Sequence, residues 1–357
     1  MRLRQRRSRR SAMVARIGSC LIFAVILAHG APLSTQSGAE SGYRKAREII
    51  LGGDGGWDYL TFDSAARRLY ISRSTQVIVF DPDTGKTLGI IPDTPGVHGV
   101  AVAPELKTGY TSNGRDGTVT VFDLWTLRQR ARITVGSNPD AILYEPTTKR
   151  VFAFNGVSRT ASVIDAQTDS VIGTLPLGGK PEFAVTDGHG AIFVNLEDKS
   201  EVEKIDARRM SIEGRWALAP CENPTGISMD VQRRHLFVGC ANRLMAVVDA
   251  DQGRVVATLP IGAGCDATAF DSQANLAFSS NGDGTLTVIR EDSPDRFVVA
   301  ETVATKFGAR TMAVDLQQRR IYLVTAEFGP HPPATADRPN PRPSIVPGSF
   351  SLLVMAR

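Results

Sequence analysis

Cysteine is scarce in this 357-residue chain: four in all, at positions 20, 221, 240 and 265. No Cys-x-x-Cys, Cys-x-x-Cys-His or clustered Cys/His spacing occurs, which argues against attached haem and structural zinc. No apolar run reaches the ~20 residues that a helical membrane span needs. Helical amphipathic periodicity is missing too, as is a serine in a nucleophile-elbow context. The glycine-rich stretch 52–56 has no helix after it, so it does not support a phosphate site.

A basic surplus is also lacking once the first thirty residues are set aside. Arg2, Arg4, Arg6, Arg7, Arg9, Arg10 and Arg16 precede an apolar run at 21–28 and then small residues, the arrangement of a secretory leader. A retained anchor is the alternative for such a leader. Those thirty residues hold seven of the 41 Lys and Arg and no acid, leaving 34 basic against 37 acidic residues. The mature chain is therefore slightly acidic, and its net charge gives nucleic-acid binding no support. The expected destination is the periplasm or the cell exterior, with no stable membrane span.

What the sequence does contain is repetition. Residues 113–139 read as a tight Gly-Asp turn, an alternating strand ending at Asp123, a polar corner and a second strand. The Asp123 position recurs at Asp81, Asp165, Asp206 and Asp249, then as Arg290 and Val354, with gaps of 42, 42, 41, 43, 41 and 64. Such a unit cannot bury both faces alone and needs copies of itself as neighbours. Each copy divides into four strands, in the third at 140–145, 150–155, 161–165 and 170–177. The first is expected innermost, the last at a polar-tolerant edge.

The second strands end alike, in Tyr110-Thr-Ser-Asn113, Phe152-Ala-Phe-Asn155, Ile192-Phe-Val-Asn195 and Phe278-Ser-Ser-Asn281. With the Val-x-Val-Phe/Ile-Asp strand and the Gly-x-x-Pro corner, this pattern resembles the YVTN-type β-propeller repeat, and YncE-like exported propellers in particular. The resemblance covers residues 43–357, after a leader at 1–30 and a linker at 31–42. It implies an all-β, seven-bladed β-propeller of four-stranded blades. The last unit lacks a fourth strand, and residues 44–51 look like the missing one, so the N-terminal strand is expected to complete the C-terminal blade. A fold of this kind does not by itself imply an activity.

Aligning the repeats puts one residue per blade at the start of each inner strand: Asp58, His98, Asp140, Glu182, Thr225, Asp266 and Arg310. These are expected to meet at the channel mouth, faced by Asn113, Asn155, Asn195 and Asn281 at the second-strand ends. Oxygen donors suit calcium or magnesium, although no cofactor is required, and His98 would be the candidate general base. The competing reading is structural: short polar residues bond backbone groups in corners, and the asparagines serve hairpin turns. His98 and Arg310 are the residues that fit it least. Trp57 is expected beside the mouth, with Trp125 and Trp216 in outer packing.

Three cysteines remain after the leader, and an oxidising compartment favours one disulfide and one thiol. The blade positions point to Cys221–Cys240 with Cys265 free. Cys240–Cys265 is the pairing that would overturn this. The proline-crowded stretch 329–347 reads as an extended loop in the last blade, either a solvated insertion or a lid or docking arm. The functional expectation is a monomeric, non-catalytic scaffold binding a small ligand or a protein partner at the polar channel face. The alternative is a metal-dependent hydrolase or lyase sited there.

Overall fold

The computed structural model describes residues 41–333, 335, 341 and 343–357. The leader and all but the last two linker residues lie outside the described residues. Among the described residues, twenty-eight strands form seven antiparallel sheets of four. In the third blade they are Pro139–Glu145, Arg150–Asn155, Thr160–Asp165 and Ser170–Pro176, hydrogen-bonded in that order. The first strands of neighbouring blades adjoin, making the inner ring. The outermost strands alternate exposed and half-buried residues, as edges tolerate.

The core lies between sheets. Phe152, Phe154, Ala161 and Val163 of the third blade interdigitate with Ile192, Val194 and Ile205 of the fourth. Each blade contributes such faces to both neighbours, so a blade taken alone would leave them wet. Fully burying one such side chain contributes about 1.5–3 kcal/mol.

The repeated aspartate that marks each unit is a turn former. Asp123 Oδ1 accepts the backbone N–H groups of Trp125 and Thr126 at 3.0 and 2.8 Å. Asp81, Asp165, Asp206 and Asp249 hold the same two bonds in their blades. A second series, including Asp63, Asp230, Asp271 and Asp315, does this after the first strand. A short carboxylate satisfies both donors of the tight hairpin, which explains why the signature repeats.

The ring closes through its termini. Arg44–Ile50 pairs antiparallel with Ser351–Ala356, with Lys45 opposite Met355 and Ile49 opposite Leu352. Ser351–Ala356 pairs on its other side with Arg320–Thr325, so the last blade is assembled from both ends of the fold. The chain is a seven-bladed β-propeller. The corner after the N-terminal strand is held by Arg73, whose guanidinium donates to the carbonyls of Asp54, Gly55 and Gly56 and lies 3.8 Å over the Phe350 ring.

Candidate site at the channel mouth

The inner strands of the second to sixth blades start irregularly. Their pairing with the second strand shifts register between Val97 and Val100, Pro139 and Ile142, Pro181 and Ala184, Pro224 and Ile227, and Cys265 and Ala267. A bulge re-aims the side chains within it. His98, Asp140, Glu182, Thr225 and Asp266 are each the second residue of such a stretch. Hydroxyls stitch these starts to the next blade: Ser112 Oγ donates to the Asp140 carbonyl, Thr225 Oγ1 to Cys265 O, and Thr311 Oγ1 to Asp58 O.

The inner-strand residues do converge. His98 Nδ1 lies 2.5 Å from Asp58 Oδ2 and 3.6 Å from Asp140 Oδ1. Arg310 Nε lies 2.5 Å from Asp266 Oδ2, joining the last blade to the sixth. Lys180 contacts Glu182 at 3.3 Å and makes its closer contact to Glu197. Asp58, Asp140, Glu182, Glu197, Asp266 and Arg310 border a cavity of about 630 Å³ lined by residues of every blade but the second, with His98 and Lys180 paired to its acids. Tyr59, edge-on to Phe183 with ring centroids 4.8 Å apart, lies at the start of the channel below. Small residues (Thr225, Ala263, Gly264 and Gly282) and the aromatic pair Phe307 and Phe328 line the other side.

Charge is unevenly balanced here. Burial works against a charged His98, but the Asp58 hydrogen bond and the charges of Asp140, Asp58 and Glu182 outweigh it and raise the imidazole to about 9. Burial, then the charge of Asp140, raise Glu182 to about 8. Asp140 is raised by burial to about 6, with His98 opposing. Tyr59 is pushed well above its ordinary value by burial and the surrounding carboxylates. Glu182 Oε2 is shielded from solvent and faces the Lys180 ammonium at 3.3 Å.

The asparagines do not join this lining. Asn113 Nδ2 donates to Thr118 and Thr120 at 3.0 and 2.9 Å, and its Oδ1 accepts from Thr111. Asn155 and Asn281 repeat the pattern with Thr160 and Ser162, and with Thr285 and Thr287. Asn195 donates instead to the carbonyls of Thr225 and Gly226 in the next blade. All four are fully buried and tie strands together. Sequence reasoning missed Lys180, Glu197, Tyr59, Phe183, Phe307 and Phe328. Tyr59 and Phe183 each directly follow a ring residue, a signal that was there to be read.

Two solved structures share the ring. One chain of the mitotic checkpoint complex superposes with a TM-score of 0.70 at 13% identity, over 96% of this chain and 99% of that one. The structure of U3-55K gives 0.71 at 10% identity, over 87% and 99%. At such identity the likeness is one of fold. No family model matches the sequence, and no curated protein matches it.

The remaining sites lie where their elements put them. Cys221 and Cys240 are bonded, with Cα atoms 5.8 Å apart, and Cys265 is a buried thiol. Trp57 packs on Phe350 and Phe328 beside the mouth, and Trp216 on Phe193. Trp125, expected in outer packing, is 68% exposed, with the Arg68 guanidinium 5.3 Å over its ring. Its position in the third-to-fourth strand turn leaves it no neighbouring sheet to cover it. The proline-rich stretch 329–347 lies partly outside the described residues; at its ends Phe328 pairs with Ile345, and Lys306 bridges Glu48 and Glu327. Among the described residues no helix is long and apolar enough to cross a membrane.

Proposed function

We propose that this propeller is an exported binding scaffold that takes a small ligand in its channel mouth without chemically transforming it. The supporting observation is the cavity of about 630 Å³ with charged groups converging from separate blades. Small-molecule sites are concave, commonly ~300–1,000 Å³, and combine apolar lining with a few placed polar groups. A closed ring supplies the rigidity such a site needs. The disulfide suits an oxidising compartment, in keeping with the leader. The test is a fragment screen on the whole mature chain and on the combined variant His98→Asn, Asp140→Asn, Arg310→Gln. Ligands of the parent should be lost by the variant while its fold persists. Binding left untouched by all three changes would remove the mouth from consideration.

One observation favours a second reading, a metal-dependent hydrolase or lyase. Single ligand atoms of Asp58, His98 and Asp140 lie within 4.8 Å of one another. A calcium or magnesium ion there would have to displace the proton that His98 shares with Asp58. Metal analysis of purified protein separates the readings: a stoichiometric cation lost in Asp140→Asn supports the enzyme, and metal-free protein supports the scaffold.

A further inference from the structure

The mouth has two unlike sides. On one, the positive groups are already engaged: His98 with Asp58 and Asp140, and Lys180 with Glu182 and Glu197. On the other, Arg310 is engaged with Asp266. Three cations thus face five carboxylates in these pairings, and Asp283 adds another carboxylate to the cavity wall. Glu182 is on this acidic side, and the one Lys180 ammonium is divided between it and Glu197.

The opposite wall is apolar and open. Phe307 is 53% exposed, an unusual state for a phenylalanine, and its ring meets Phe328 edge-to-face at 5.3 Å. Pro343 adds to the same wall. Phe307, Phe328 and Pro343 thus give the cavity an apolar wall against which a ligand body can pack. Ring faces also attract positive charge, by about 0.5–2 kcal/mol for each well-placed ring.

Size decides what kind of cation is suited. A bare metal ion needs a tight cage of oxygen ligands at about 2.0–2.6 Å. A cavity of about 630 Å³ with an aromatic wall is far larger than that. We infer that the ligand class is an organic amine: a protonated ammonium group set among Glu182 and its neighbouring carboxylates, with an apolar or aromatic body against Phe307 and Phe328. An anionic ligand of the same shape would meet surplus negative charge and find His98, Lys180 and Arg310 already paired. This inference rests on the mouth being the binding site.

Matched probes test it on the unmodified mature protein: 4-phenylbutylamine, 4-phenylbutanol and 4-phenylbutyrate, titrated by calorimetry at low salt and about pH 9, where Glu182 is ionised and the amine still protonated. The amine should bind most tightly, the alcohol at least about tenfold more weakly, and the acid not measurably, a difference worth about 1.4 kcal/mol or more. Glu182→Gln and Phe307→Ala should each weaken the amine about three- to tenfold. Trp125→Ala, on the opposite face, should leave it unchanged. Thermal melts of each variant verify folding, and the probe series in the parent protein needs no variant at all. If the acid or the alcohol binds as well as the amine and His98→Asn abolishes that binding, the mouth stands and the amine class is wrong. If none of the three probes binds, or binding survives loss of the mouth residues, the amine class fails. Fragment hits from the screen above then show separately whether the mouth still binds anything.

Discussion

His98 Nδ1 sits 2.5 Å from Asp58 Oδ2, across the boundary between the second and first blades. That contact ties the charge of the imidazole to the shape of the mouth. It also fixes how the protein should respond to pH.

His98, Asp140 and Glu182 are all raised in the folded protein, to about 9, 6 and 8. In each case the folded state holds its proton more tightly than the unfolded chain does. Stability from these groups is therefore complete below their unfolded values and is lost as pH rises through the folded ones. Between about pH 4.5 and 9, where these shifts act, their contribution to stability should fall with increasing pH. From about 6.5 to 8 the fall is shared by His98 and Glu182; from about 8 to 9 it belongs to His98 and should flatten in His98→Asn. Urea melts across this range measure it; an unchanged slope in the variant would show that His98 titrates normally.

The asparagines and the mouth acids should separate cleanly by assay. Asn113→Ala strands buried hydroxyl partners on Thr111, Thr118 and Thr120, which costs about 1–3 kcal/mol. It should lower stability while ligand affinity at the mouth stays as it was. Glu182→Gln should do the reverse. Denaturant midpoints set beside binding isotherms decide it, and a loss of affinity in Asn113→Ala without loss of stability would return the asparagines to the site.

That division was partly legible in the sequence. Asn113, Asn155 and Asn281 are each followed, four to seven residues on, by two hydroxyl residues, and these hydroxyls accept their amides. Asn195 has Ser200 and Val202 at the matching places, and its amide turns to the next blade. The blade count was readable because turn-forming aspartates recur in most of the hairpins, and the closure because the last unit lacks a fourth strand that the N-terminal segment supplies. Lys180 and Phe307 were not readable, since corner residues follow no strand alternation and only the ring geometry brings them to the cavity.

Closure predicts the effect of truncation. Residues 351–356 form a strand flanked on both sides, so removing 349–357 exposes two edges and opens the ring. The truncated chain should lose its cooperative melt altogether. A melt with the parent midpoint would contradict the shared blade.

The disulfide closes a short loop, with a sequence separation of 19. Replacing Cys221 and Cys240 by serine should cost about 3 kcal/mol, read from denaturant curves. Cys265 is buried, and its thiol is pushed upward chiefly by that burial. Native protein should therefore react slowly with thiol reagents and denatured protein should expose a single thiol. Rapid labelling of the native fold would place Cys265 at the surface.

Imidazole NMR offers the most direct check on where ligands bind. His98 contacts Asp58 and Asp140 of the cavity wall, whereas His235 is buried against Glu291 and His189 is held in an Asp187 turn. With the histidine side chains labelled, a bound ligand should shift the His98 resonances and leave those of His235 and His189 in place. Ligands that move His235 or His189 while His98 stays still would show that the channel mouth is not where this propeller binds.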